Sequence, residues 1–157
     1  MKTKDRDSLR LYGRWQLEAR HIKTGEIIVK EGKNLICAVG KGLVGDLMID
    51  TAGFDVGLTF CAIGSDNTAP NVADTTLTVE EFRKAVTSRS RTVNEITITT
   101  FFTAGESTYA IEEAGIFGHS TASATPDSGI IFSHWLVSFD NSGGVYDITI
   151  SYILTIG

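Results

Sequence analysis

The run Val145-Tyr146-Asp147-Ile148-Thr149-Ile150-Ser151-Tyr152 near the end of the chain alternates side-chain character at every second residue, and Ile153-Leu154-Thr155-Ile156 extends it. Successive side chains of a strand point to opposite faces. Ile148, Ile150 and Tyr152 therefore share one face, and Thr149 and Ser151 share the other. A helix of period 3.6 would scatter these residues around its circumference and bury none of them together. The same alternation runs through 92–103, where Val93, Glu95, Thr97 and Thr99 oppose Asn94, Ile96, Ile98 and Thr100, and β-branched residues dominate. It appears a third time in Leu11, Gly13, Trp15, Leu17 and Ala19 against Tyr12, Arg14, Gln16 and Glu18. Three such segments spread over the chain commit it to a mainly β fold.

Shorter signals fill the intervals. Lys23-Thr24-Gly25-Glu26 has turn chemistry and precedes Ile27-Ile28-Val29, so the chain opens with a hairpin. Leu58-Thr59-Phe60-Cys61-Ala62-Ile63 lies between Gly57 and Gly64 as a buried strand. Residues 79–88 alternate and are predicted to be one strand, as are 109–117, 130–139 and 145–156. Residues 64–74 and 140–144 carry the Gly, Asp, Asn and Ser of surface loops and turns. One helix is predicted over 34–50, capped by Asn34, with Leu35, Val39, Leu43 and Leu47 as its stripe and Ile36, Ala38 and Met48 widening it. Gly40, Gly42 and Gly45 are poor helix formers, which implies that the helix lies close against a sheet. About eight strands with a turn every ten residues or so predict an antiparallel β-sandwich, jelly-roll-like, with one helix on a face or edge. It forms a single domain over 11–157, preceded by a charged arm over 1–10 with four Lys or Arg and two Asp. The last strand is expected to lie centrally in its sheet.

The 157 residues suffice for one core without metal or disulfide support. The net charge of −5 and the dispersed Lys and Arg argue against a general nucleic-acid binder. No apolar run reaches the roughly 18–20 residues of a membrane span, and the charged N-terminus lacks a signal-peptide core, so synthesis in a cytoplasm is expected. Cys37 and Cys61 stand apart among apolar neighbours and are expected to be small buried hydrophobes.

Chemistry, if present, should concentrate in 109–138, which holds Glu112, Glu113, His119, His134 and Trp135. Adjacent residues on a strand face opposite ways, so Glu112 and Glu113 cannot flank one bond as a glycosidase pair does. One is expected to make a buried charge-assisted contact and the other to be solvated. His119 and His134 lack Asp, Glu or Cys at ligand spacing, and His134 is expected to pack beside Trp135. Ser133-His134 has no G-x-S-x-G elbow around it. Gly40-Lys41-Gly42-Leu43-Val44-Gly45 matches a dinucleotide fingerprint in letters, but no βαβ unit surrounds it. Asp66, Asn67, Asn71 and Asp74 lack the spacing of a calcium loop and are read as turn formers. No catalytic, cofactor or metal site is assigned, and the chain is not read as an enzyme. Trp15, Tyr109, Trp135 and Tyr146 are the candidate partner-interface residues, and with Tyr152 they are also the aromatics from which a sugar platform would be built.

A larger pattern links several of these pieces. Gly32-Lys33-Asn34-Leu35-Ile36 opens the Gly-studded helix, and Phe60-Cys61-Ala62-Ile63-Gly64 precedes Thr68-Ala69-Pro70. Phe82-Arg83-Lys84-Ala85-Val86-Thr87-Ser88, Phe101-Phe102-Thr103-Ala104-Gly105-Glu106 and Ile111-Glu112-Glu113-Ala114-Gly115-Ile116-Phe117-Gly118 follow in that order. Gly129-Ile130-Ile131-Phe132-Ser133 and the closing Thr155-Ile156-Gly157 complete it. Over residues 32–157 the chain resembles a family of small bacteriophage virion proteins, related in pattern to the N-terminal attachment domains of tail-collar and tail-fibre proteins. The resemblance implies a non-enzymatic structural role in the virion, as an oligomeric attachment or adaptor component of tail, baseplate or fibre. Its partners would be other virion proteins and further copies of itself. With no shaft or tip after Gly157, attachment is expected here and host recognition is not. The alternatives are a capsid decoration protein and a carbohydrate-binding module for host-surface glycans.

Overall fold

The computed structural model describes residues 8–49 and 56–157. Ten strands and one helix follow the order β1 (Leu11–His21), β2 (Ile27–Lys33), β3 (Leu35–Ile36), α1 (Ala38–Met48), β4 (Leu58–Gly64), β5 (Glu80–Ala85), β6 (Ser88–Thr92), β7 (Glu95–Phe102), β8 (Ala110–Gly118), β9 (Ile130–Asp140) and β10 (Tyr146–Ile156). They form two five-stranded sheets, β2-β1-β10-β7-β6 and β3-β9-β8-β4-β5, and every pair is antiparallel. The protein is an antiparallel β-sandwich with one helix. The chain changes sheet after β2, β5, β7 and β9, so neither sheet is a contiguous stretch of sequence. As its alternation predicts, β10 is central: Ile150 opposes Leu17 of β1 on one side and Thr100 of β7 on the other.

The core between the sheets is built from the apolar phase of each strand. Trp15, Leu17, Ile98, Phe102, Ile148, Ile150 and Tyr152 of the first sheet meet Ile63, Ile111, Ile116, Trp135 and Val137 of the second. Trp15 lies parallel to Trp135, with centroids 5.8 Å apart at 9°, and Tyr152 tilts against Trp15 at 4.8 Å. The polar edges of Trp15 and Tyr152 are paired: Trp15 Nε1 donates to Ser133 Oγ at 3.1 Å, and Asn34 Nδ2 donates to the Tyr152 hydroxyl at 2.9 Å. Each fully buried large side chain contributes about 1.5–3 kcal/mol of hydrophobic free energy.

The two sheets differ on their outer faces. Tyr12, Arg14, Gln16, Glu18 and Arg20 line the outside of the first sheet and are exposed or half-exposed, next to the hydroxyls of Thr149, Ser151, Thr97 and Thr99. The outside of the second sheet is covered. Ala62, Phe117 and Ile131 are packed there with Cys37 and with Leu77, which belongs to the long segment 65–79 crossing over them. A sheet covered on both faces needs apolar residues in both phases. For this reason Ala114-Gly115-Ile116-Phe117 is buried without a break.

Three local expectations are corrected. The helix starts at Ala38, and its N-cap is Cys37, which makes no side-chain cap bond. Asn34 instead pairs with Tyr152, and Leu35-Ile36 joins the second sheet beside β9. The first helical amide, of Ala38, donates to Val72 O at 2.7 Å. The buried side of the helix is Gly40 and Leu43, while Val39 and Leu47 are exposed. Residue 50, the expected helix end, and residues 1–7 of the expected arm lie outside the described residues.

The stretch 79–88 is not one strand. β5 leaves the second sheet at Ala85, and β6 enters the first at Ser88, the handover being marked by Val86 N–H to Thr59 O at 2.9 Å and Thr87 N–H to Thr99 O at 2.8 Å. The strand expected from 92 begins at Glu95, because Val93 and Asn94 form the turn of a β6–β7 hairpin. Val93 has φ 55°, a left-handed conformation that β-branched residues rarely adopt.

Candidate functional site

Beside an irregularity in the β8–β9 register, β8 places Glu112 and Glu113 in different surroundings. Glu112 is half-buried, whereas Glu113 is fully buried on the outer face of the second sheet, under segment 65–79. Its Oε1 accepts the Val79 N–H at 2.7 Å, and its Oε2 accepts the Thr78 N–H at 2.9 Å. The same Oε2 lies 2.8 Å from His134 Nε2. At the other end of the ring, His134 Nδ1 lies 2.7 Å from Asp74 Oδ2, which also accepts the Asn71 N–H at 2.7 Å. One buried imidazole is thus held between two carboxylates, one from the sheet and one from the covering segment. Gly64 makes room for this, since a Cβ there would lie 2.6 Å from Glu113 Oε1. The covering segment acts as a strap, and these groups are its fastening.

Burial disfavours charge on both Glu113 and His134, yet hydrogen bonding outweighs it in each. The His134 ring and the Val79 and Thr78 amides hold the Glu113 carboxyl below its ordinary range, and the two carboxylates raise the affinity of His134 for its proton. Cys37 is near this cluster, but burial and the Asp74 charge push its thiol up to about 11. Burial pushes the Cys61 thiol up to about 12. Both are free, buried and protonated at neutral pH, the opposite of what a nucleophilic cysteine needs.

This placement decides what the cluster can do. A catalytic histidine needs one ring nitrogen free to take a proton from a nucleophile. Both nitrogens of His134 face carboxylates. Ser133, the adjacent hydroxyl, points into the sandwich and accepts from Trp15. Among the described residues no group of His, Cys, Asp and Glu is arranged to hold a metal ion.

A second fastening lies on the same sheet face. Arg83 forms a two-pronged pair with Glu80, Nε to Oε1 at 2.6 Å and Nη2 to Oε2 at 2.7 Å. Its Nη1 donates to Ser128 O at 2.7 Å and Ser123 O at 3.3 Å, and its guanidinium carbon sits 4.4 Å above the Phe117 ring. Glu80 Oε2 in turn accepts the Asp127 N–H at 3.3 Å. The pair holds residues 119–129 to the sheet as Glu113 and His134 hold the strap.

The remaining candidates fall as follows. Trp15 and Trp135, expected at a partner interface, are 1% and 3% exposed, so in the folded chain they are core and offer no platform to a partner or a sugar. Tyr109 and Tyr146 are half-buried, Tyr146 edge-on to His21 at 5.1 Å and to Phe139 at 5.3 Å. Tyr152 is buried. His134 is not beside Trp135, because neighbours on a strand diverge: the indole enters the core and the imidazole the strap cluster. His119 sits in a turn at φ 78° with Nδ1 2.9 Å from Thr121 Oγ1. Asp66 accepts the Thr68 N–H, and Asn71 Oδ1 accepts the Ala73 N–H, the turn bonding read from the sequence. Gly40 fits neither a phosphate nor a turn; a Cβ there would lie 2.5 Å from Phe132 O. The role of Asp74 and the Arg83–Glu80 pair were not anticipated. The signal available was an ionisable residue in each of two successive apolar runs, Glu113 and His134, which the β8–β9 register sets diagonally, Glu113 opposite Leu136 and Gly115 opposite His134.

Two hollows border these elements. One, of about 280 Å³, runs along the seam between β2 and β9 and is lined by Glu31, Lys33, Asn34, Pro70, His134 and Trp135. The other, of about 300 Å³, opens between the sheets near α1 and is lined mainly by apolar side chains, among them Leu11, Val44, Leu58, Ile98 and Leu154. Comparison with protein-family models, curated proteins and solved structures finds no match to this chain.

Proposed function

We propose that this chain is a structural component of a bacteriophage virion, an oligomeric attachment or adaptor module of the tail, baseplate or fibre. The observation that carries the reading is the use made of the buried ionisable groups. Glu113, His134, Glu80 and Arg83 each fasten a covering loop to one sheet, and each has its hydrogen-bonding capacity directed at protein groups. A sheet braced in this way is a stiff plate, suited to bearing load. The outer face of the first sheet keeps its charged, hydroxyl and tyrosine side chains accessible, and a partner meets the module there. The ordered motifs over 32–157 that resemble phage attachment domains support the same reading.

Mass spectrometry of purified phage particles tests it. The chain is expected at a fixed, multiple copy number per particle, with cross-links to tail or baseplate proteins. Absence from intact particles overturns the proposal. Cross-links to the major capsid protein move the chain to capsid decoration.

A further inference from the structure

We propose that Asp74, His134 and Glu113 form a proton-operated latch on the strap 65–79: with the imidazole charged the strap is locked to the sheet, and removal of one proton releases its Asp74 end. The proposal is independent of the virion reading. It starts from geometry. Hydrogen-bond lengths of 2.7 Å from His134 Nδ1 to Asp74 and 2.8 Å from Nε2 to Glu113 each require a hydrogen between nitrogen and oxygen. In the locked state the imidazolium supplies both, one to each carboxylate. A neutral imidazole has one N–H, and its bare nitrogen would then face a carboxylate oxygen lone pair to lone pair.

The structure also fixes which contact yields. The Glu113 side chain has no exposed surface and holds the Thr78 and Val79 amides, so moving it would strand a buried charge and two donors. The Asp74 side chain is 26% exposed and can turn to water. The remaining hydrogen therefore stays on Nε2 toward Glu113, and Asp74 lets go. Asp74 supports the Asn71 amide, and the neighbouring Val72 carbonyl holds the first amide of α1, so 71–74 loosens while 78–79 stays anchored.

Other groups around His134 do not replace the lost bond. At the head of α1, Cys37 is a protonated thiol. From β2, Glu31 and Lys33 line the seam beside the ring, and β3 brings only Leu35 and Ile36 against it. On β5, Glu80 and Arg83 are paired with each other.

Amide hydrogen exchange corrected for its intrinsic pH dependence, read with the ring ¹⁵N signals of His134, tests the latch on the full chain. From about pH 6.5, the ordinary imidazole value, up to the raised midpoint of His134, protection at 71–74 is expected to fall by up to about tenfold per pH unit, the slope of a single linked proton, and to level off above that midpoint, while amides of β7 and β10 keep theirs. Asp74→Asn replaces the outer carboxylate by an amide that tolerates neutral His134, and its protection should be flat with pH. The proposal is overturned if protection at 71–74 stays flat between about pH 6.5 and the native His134 midpoint, or if Asp74→Asn shows the same fall. A His134 that keeps its charge up to alkaline unfolding overturns it equally.

Discussion

Glu112 and Glu113 are the same side chain one peptide bond apart, and their different surroundings come from the local irregularity of the β8–β9 register and from the strap, whose amides bond Glu113 while Glu112 meets Ser138. Replacing Glu113 by Ala leaves a charged imidazole beside an empty site and strands the Thr78 and Val79 amides. Breaking a buried pair from one side costs about 3–5 kcal/mol, and a lower urea midpoint is the expected reading. Glu112→Ala should stay within about 0.5 kcal/mol of the parent, the usual range for positions away from such networks. That one of the two would make a buried contact was legible from period-two alternation. Its partners were not, because Asp74 and His134 lie 60 residues apart and meet only once the strap has crossed the sheet. The tryptophans show the same limit: alternation finds an apolar face, but whether that face meets a partner or the other sheet depends on how the chain closes.

At the level of the element, the three helix glycines read alike in sequence and separate in the structure. A Cβ on Gly40 would press on the backbone of Phe132, whereas one on Gly42 or Gly45 would meet nothing within 4 Å. Gly40→Ala is therefore expected to destabilise by about 1–3 kcal/mol. Gly42→Ala and Gly45→Ala should each stabilise by up to about 1 kcal/mol, all three measured by thermal or urea unfolding. The β6–β7 turn supplies the second element-level prediction. Val93 is 81% exposed and holds a left-handed φ without side-chain packing to support it. Val93→Gly relieves strain of about 1–2 kcal/mol less the entropy of a glycine, so a net gain of about 0.5–1 kcal/mol is expected in the unfolding midpoint. Strands with unbroken alternation were legible in sequence. This hairpin was not, since Val-Asn lacks the glycine of the common two-residue hairpin turns, leaving a lone Asn as the signal, and the alternation runs on through it in the letters.

For the whole molecule, stability should have a plateau with two shoulders. Lys84 and the Thr103 amide hold Glu106 below its ordinary 4.5, and Glu113 is likewise lowered despite burial that opposes it. Groups depressed in this way stabilise fully above about pH 4.5, and that contribution is lost as pH falls through their folded values. His134 is raised from 6.5 against the desolvation that would lower it, so its contribution is complete below about pH 6.5 and is lost as pH rises through its folded value. Differential scanning calorimetry should place the highest Tm between about pH 4.5 and 6.5. In His134→Gln the alkaline shoulder should disappear.

The parallel Trp15 and Trp135 rings belong to different sheets and are the only two indoles in the chain. The molecule therefore carries a built-in optical gauge of the gap between its layers. Two buried indoles emit in a short-wavelength band that moves to the red once their separation grows and water enters between them. Swelling of the sandwich can be followed by that band while the backbone signal of each sheet is still intact, so parting of the layers can be timed separately from melting of the strands.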